Sequence, residues 1–217
     1  MNGASQRAAF NNGKPIVAID IDGTISDYHA HFLRFAEAWY GRPMPDPSDI
    51  NPGLPLHRFM GTSKSTYRQC KLAFRQGGLK RSAPVYTGAR ELTVRLRRLG
   101  AEVWICTTRP YLRLDNIDPD TRHWLRRHRI QFDAVLWGEH KYRTLARTAG
   151  PERVVAVLDD LLDLCLQARG VGLKAYLRDQ PYNRATTLPE GISRVTSLED
   201  ATQRLSDDVR KWKENNG

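Results

Sequence analysis

Cysteine is scarce in this chain, with three in 217 residues, at Cys70, Cys106 and Cys165. The number is odd and the spacing wide, so neither a disulfide framework nor a thiolate zinc site is expected, and a reducing, cytoplasmic location is. No apolar run approaches the roughly 20 residues that a membrane-crossing helix needs. Residues 1–15 are polar and lack the apolar stretch of a secretory signal. No G-x-x-x-x-G-K-S/T run is present, which excludes P-loop phosphoryl transfer from a nucleoside triphosphate. His31 and His140 have no partner at metal-ligand spacing. Internal repeats and long low-complexity segments are missing as well.

Positive charge, by contrast, is abundant. Lysine and arginine number 34 against 24 acidic residues, a net charge of +10. With 40% hydrophobic and 27% charged residues, the composition suits a globular chain that buries a real core. The excess predicts anionic partners, and a nucleotide, a nucleic acid or a phosphate metabolite would each fit.

Short apolar runs rich in β-branched residues predict buried strands at residues 16–21 (IVAIDI), 103–106 (VWIC), 134–137 (AVLW), 154–158 (VVAVL) and 173–177 (LKAYL). Helical patterns lie between them. Ala89, Leu92, Leu96 and Leu99 share one face, as do Leu161, Leu164, Cys165 and Ala168. A last helix starts at Ser197, with Asp200 completing a capping-box pattern and Leu198, Ala201, Leu205, Val209 and Trp212 as its stripe. Strand-helix alternation predicts an α/β fold, a Rossmann-like parallel sheet with helices on both faces. The interval between Thr24 and Gly88 breaks this rhythm. Phe32, Phe35, Ala36 and Trp39 predict a helix, prolines follow at 43, 45, 47, 52 and 55, and residues 63–76 predict another helix. Residues 25–87 are therefore expected to form a small, mostly helical cap inserted after the first strand, over a catalytic core of residues 14–24 and 88–217.

In such sheets the site lies where the strands end. The first strand ends in Asp20-Ile21-Asp22-Gly23-Thr24. Two carboxylates spaced by two leave the strand on the same side, and like charges that close call for a cation or a shared proton. Mg²⁺ suits them, because it prefers oxygen ligands and shares its shell with phosphate. An ordinary acidic turn is the competing reading. An EF-hand calcium loop fails, since Ile25 and His31 stand where glycine and glutamate are needed. The second strand ends in Cys106-Thr107-Thr108-Arg109-Pro110, where hydroxyls, amides and a guanidinium can hold phosphate oxygens. The fourth ends in Asp159-Asp160. One carboxylate there could complete a metal shell and the other orient a lysine, or either could cap the next helix. Lys141, after the third strand, could neutralise a phosphate or a nucleophile.

The order D-x-D-G-T, strand-T-T, Lys, strand-D-D resembles the haloacid dehalogenase-like phosphatase superfamily over about residues 16–177. The resemblance implies Asp20 as nucleophile forming an aspartyl-phosphate, and Asp22 as acid and then base. It implies Thr107 binding the transferring phosphoryl group, with Thr108 and Arg109 beside it, and Lys141 holding charge. Asp20, Asp22, Asp159 and Asp160 become the Mg²⁺ set. The motifs Asp20-Ile21-Asp22-Gly23-Thr24-Ile25-Ser26-Asp27-Tyr28 and Ile105-Cys106-Thr107-Thr108-Arg109-Pro110 are similar to those of the 5'(3')-deoxyribonucleotidases, with Thr24, Thr108 and Arg109 as departures. Tyr28 then matches the aromatic that packs on the base. The stretch from Thr107 to Asp160 also looks like the 3'-phosphatase domain of phage-type polynucleotide kinases. The expected function is a Mg²⁺-dependent phosphomonoesterase for nucleoside monophosphates. The alternatives are a 3'-phosphatase for nucleic-acid ends, a phosphatase for another small ester, and an idle scaffold that kept the fold. Arg90, Arg95, Arg97 and Arg98 on one helix, and Arg122, Arg126, Arg127 and Arg129 on another, would either grip nucleic acid beside Trp124 or form a solvated face with Trp124 in the core.

Overall fold

Ile16, Val17, Ala18 and Ile19 are buried on both faces of a sheet, and this explains why their run is continuously apolar rather than alternating. They form β1 (Ile16–Ile19) of a computed structural model that describes residues 13–50, 53–110 and 113–216. The predicted loose tail, up to residue 12, and Pro52 of the proline-rich stretch lie outside the described residues. The other strands are β2 (Glu102–Thr107), β3 (Ala134–Trp137), β4 (Val154–Asp159), β5 (Ala175–Arg178) and β6 (Ile192–Val195). All pair in parallel, in the order β3-β2-β1-β4-β5-β6. The chain fans outward from β1 in one direction and then, from β4, in the other. The crevice between the ends of β1 and β4 is therefore the topological switch point.

Sequence pattern alone does not reveal β6. It has four residues at the sheet edge, and only Ile192 and Val195 are buried. A strand covered on one side has no continuous apolar run to mark it.

Between β1 and β2 the chain forms α1 (Tyr28–Tyr40), α2 (Leu56–Phe59) and α3 (Lys64–Gln76) before reaching α4 (Ala89–Arg98). Asp27 and Ser63 cap α1 and α3 through their side chains. The first three helices share a core of their own, built from Tyr28, Phe32, Leu33, Ala36, Met60, Cys70 and Phe74. Trp39, on the expected apolar stripe of α1, is 48% exposed.

Beyond β2 come α5 (Ile117–Arg127), α6 (Lys141–Ala149), α7 (Leu162–Arg169) and α8 (Leu198–Asn216). Helices α4, α5 and α8 cover one sheet face through Leu92, Leu96, Trp124, Leu125, Leu205 and Val209, against Val17 and Ile19. Helices α6 and α7 cover the other through Tyr142, Leu145, Cys165 and Ala168, against Ile16 and Ala18. The period-two split of β1 between these cores is what fixes its register.

Each crossover helix runs back toward the starting edge of the sheet. The last turns of α4, α5, α6 and α7 carry Arg95, Arg97, Arg98, Arg126, Arg127, Arg147 and Arg169. Cations there face the negative ends of the helix dipoles. A basic patch thus lies on the edge opposite the strand ends. Trp124 does not belong to it, being fully buried with Nε1 donating to the Ala83 carbonyl at 2.7 Å.

Candidate active site

The turn after β1 is wound tightly. The amides of Thr24, Ile25 and Ser26 all donate to the Ile21 carbonyl, at 3.2, 3.0 and 2.9 Å. Gly23 makes this possible with φ of 92°, in the region L side chains avoid. A Cβ at Gly23 would also collide with the Asp160 carboxylate and the Tyr182 hydroxyl. The turn leaves Asp20 and Asp22 with different neighbours.

Asp20 is 5% exposed and faces Lys141, the first residue of α6. The Lys141 ammonium is fully buried and donates to Asp20 Oδ1 at 2.5 Å and to the Cys106 carbonyl at 3.0 Å. It also lies 2.7 Å from Asp159 Oδ2. Asp159 also accepts from Tyr142 on Oδ2 at 2.6 Å and from the Leu161 amide on Oδ1 at 2.9 Å. Its geometry is that of a residue holding Lys141 in place. Asp160 accepts from Thr24 Oγ1 at 3.0 Å on Oδ1 and from the Tyr182 hydroxyl on Oδ2.

Asp20, Asp159 and Asp160 can each offer an oxygen within 4.8 Å of the others. Three buried carboxylates against the single ammonium of Lys141 leave a charge of −2 if all are ionised. Burial pushes Asp20 up to about 7, with Lys141 opposing and Asp159 adding to the rise. Burial likewise holds Asp160 well above the usual carboxylate range, helped by Asp159 and Asp20. Lys141 is desolvated too, yet Asp159 and Asp20 keep it firmly charged. A hard divalent cation would cancel the charge deficit and use the all-oxygen donor set, so the residues fit Mg²⁺.

Asp22 stands apart from that group. Arg109 donates Nε to its Oδ2 at 3.1 Å and Nη2 to its Oδ1 at 2.6 Å, and Lys80 bonds Oδ2 as well. Burial alone would raise Asp22, but Arg109 and then Lys80 more than offset it and hold the carboxyl far below its ordinary value. Arg109 is fixed in turn by Nη1 on Thr121 Oγ1 at 3.0 Å. Lys80 is 2% exposed, and burial pushes its ammonium down to about 7 despite the attraction of Asp22. It lies 3.9 Å from the centre of the Tyr28 ring. Phe32 stacks near that ring with centroids 5.8 Å apart, and Phe74 meets it edge-on.

Thr107, at the end of β2, is buried and accepts from the Arg109 amide at 3.3 Å, whereas Thr108 is exposed. Asp20, Lys141, Asp159 and Asp160 therefore meet at the switch point, while Asp22 and Arg109 form a second ionic group beside it. Sequence reasoning missed Lys80, Tyr142, Tyr182 and Thr24 as partners of these acids. Tyr142 follows Lys141 directly, which is a signal once the lysine is suspected. Lys80 and Tyr182 arrive from turns at residues 79–82 and 181–183, with no periodic pattern to mark them. That last turn also sends Gln180 Nε2 to the Gly23 carbonyl at 2.6 Å and Asn183 Nδ2 to the Asp160 carbonyl at 2.8 Å, bracing both acidic turns.

No protein-family model matches the sequence. No curated protein matches it either. Solved structures do match in fold. A haloacid dehalogenase-like family hydrolase from Streptococcus pneumoniae aligns with TM-score 0.61 and 18% identity, over 88% of this chain and 98% of that one. CbbY from Rhodobacter sphaeroides, in complex with xylulose-1,5-bisphosphate, aligns with TM-score 0.58 and 17% identity, over 86% and 95%. D,D-heptose 1,7-bisphosphate phosphatase from B. bronchiseptica, complexed with magnesium and phosphate, aligns with TM-score 0.54 and 15% identity, over 89% and 99%. The fold is the haloacid dehalogenase-like, Rossmann-type α/β fold.

Proposed function

We propose that this chain is a Mg²⁺-dependent phosphomonoesterase that acts on a small phosphorylated molecule through an aspartyl-phosphate on Asp20. The observation that carries this reading is the buried Asp20–Lys141–Asp159 chain at the switch point, with Asp160 beside it. An Asp20 carboxylate oxygen bonds to phosphorus as the bond from phosphorus to the leaving oxygen breaks. The leaving oxygen takes its proton from Asp22. A water then attacks the phosphoryl group and gives a proton to Asp22, and Asp20 and inorganic phosphate separate. Lys141 offsets charge on the nucleophile and the phosphoryl oxygens, and Thr107 and the amide of Thr108 hold those oxygens.

Mg²⁺ would be held by Asp20 and Asp160, where it would neutralise phosphoryl charge as a Lewis acid. Asp22 is assigned to proton transfer and not to the metal, because Arg109 and Lys80 already occupy both its oxygens. It can carry a proton only after that grip loosens. A leaving-group oxygen that takes the Lys80 hydrogen bond would loosen it.

The CbbY and heptose bisphosphate phosphatase complexes hold phosphorylated small molecules or phosphate, which supports a substrate of that size. A nucleoside monophosphate remains part of the proposal, with Tyr28 as the base contact. A base would have to displace Lys80 from that ring. Three buried free cysteines fit a reducing cytoplasm. No helix among the described residues is long and apolar enough to cross a membrane.

The test is phosphate release from a panel of sugar phosphates and nucleotides, with and without Mg²⁺. The expected result is Mg²⁺-dependent turnover that Asp20→Asn abolishes, with loss of covalently bound phosphate. Turnover that survives Asp20→Asn sinks the assignment.

A further inference from the structure

A cleft of about 340 Å³ opens beside the end of β2, between the helical insert and the sheet. Its lining includes Arg75 of α3, Thr108, Arg109, Arg113 and Glu139. We propose that this cleft binds a second anionic group of the substrate, so that the preferred substrate is a small bis-anion, such as a bisphosphate, rather than a simple monophosphate. The proposal rests on the phosphomonoesterase reading for its chemistry and adds the substrate class.

Charge is the first support. Arg75, Arg109 and Arg113 line the cleft against one acid, Glu139, and only Arg109 has a carboxylate partner of its own, in Asp22. Arg109 and Lys80 share Asp22, so the single carboxylate satisfies neither charge alone. Neither Arg75 nor Arg113 has an ion-pair partner among the described residues. A phosphate group would offset the excess of guanidinium charge and accepts from guanidinium forks.

Arg75 is the second. Its Nε is buried with no hydrogen-bond partner, which is unusual for a native donor. Its place is set by the backbone, because the Arg75 carbonyl accepts from Asn116 Nδ2 at 2.7 Å. That bond ties the end of α3 to the segment that carries Arg113.

Position is the third. Thr108 and Arg109 directly follow Thr107, so the cleft begins where the transferring phosphoryl group is held. One short molecule can fill both places. A polynucleotide is the less suited bis-anion for a cleft of this volume, which takes a small molecule.

The experiment compares kcat/KM for fructose 1,6-bisphosphate, fructose 6-phosphate, p-nitrophenyl phosphate and a 3'-phosphorylated oligonucleotide, in the unaltered protein, Arg75→Ala and Arg113→Ala. The bisphosphate is expected to exceed the monophosphate by about tenfold or more, through KM. Each variant should lower kcat/KM for the bisphosphate about tenfold more than for p-nitrophenyl phosphate, a ratio that partial misfolding does not change. Equal rates on mono- and bisphosphate, an unchanged ratio in both variants, or a clear preference for the oligonucleotide would overturn the proposal. If nothing is hydrolysed, the phosphomonoesterase reading fails, and calorimetric titration with fructose 1,6-bisphosphate still decides the cleft. Binding weakened about tenfold in Arg75→Ala upholds it, and equal or absent binding refutes it.

Discussion

Arg109 grips Asp22 with two parallel hydrogen bonds, one from Nε and one from Nη2, and the pair is nearly shut off from solvent on the arginine side. A guanidinium fork fixes the plane of a carboxylate, which a point-charge ammonium cannot do. Arg109→Lys should therefore keep the charge and lose the orientation. We expect kcat to fall by roughly 10- to 100-fold with a smaller change in KM, measured on p-nitrophenyl phosphate, which carries no second anionic group for the cleft. Full activity in Arg109→Lys would show that the fork is irrelevant to Asp22.

Tyr142 acts on the other acid. Its hydroxyl and the Lys141 ammonium share Asp159 Oδ2 in a fully buried setting. Tyr142→Phe leaves that oxygen with one donor fewer and lets Lys141 drift toward Asp159. The variant should lose about 1–3 kcal/mol of stability. It should also lose turnover, read as kcat, while Phe preserves the packing of the ring. A variant that melts like the parent and turns over at the same rate refutes this role.

Metal binding should depend on pH in a definite direction. Asp20 sits at about 7, above its ordinary 3.8, so the folded chain keeps a proton that the unfolded chain releases. That contribution is fully present below about pH 4 and is lost as the pH rises through about 7, so the metal-free protein loses stability across this window. Asp160 works in the same direction. Asp22, whose carboxyl is depressed, works oppositely and loses its contribution only at strongly acid pH. Mg²⁺ competes with the proton on Asp20. The rise in melting temperature on adding Mg²⁺ should thus be small near about pH 5 and large near about pH 8. A rise that is equal or larger at the acid end would contradict the assigned cluster.

Gly23→Ala should be strongly damaging for a single added methyl group. It meets a φ of 92° and two side chains, Asp160 and Tyr182, that cannot both move without opening the acidic group. Backbone strain alone costs about 1–2 kcal/mol. We expect a lower melting temperature together with loss of the Mg²⁺-induced rise, followed by differential scanning fluorimetry.

The strands that carry the acids were legible because they are buried on both faces and read as unbroken apolar runs, as β1 and β4 do. Asp20, Lys141, Asp159 and Asp160 were legible because topology puts strand ends together. What pairs with them was not. Lys80 comes 58 residues after Asp22, and Tyr182 comes 22 residues after Asp160, both from irregular turns. Such turns are placed by tertiary packing, and no local period encodes them. Trp124 was legible in the sequence as a core aromatic behind a basic helix face, and its indole is fully buried, because a helix segregates residues by face and not by proximity in sequence.

The arginines that end the crossover helices give the molecule an electrical orientation. On a negatively charged support it should settle with the starting edge of the sheet downward and the strand ends outward. Immobilisation on a sulfonate resin would then leave the strand ends accessible without a tag.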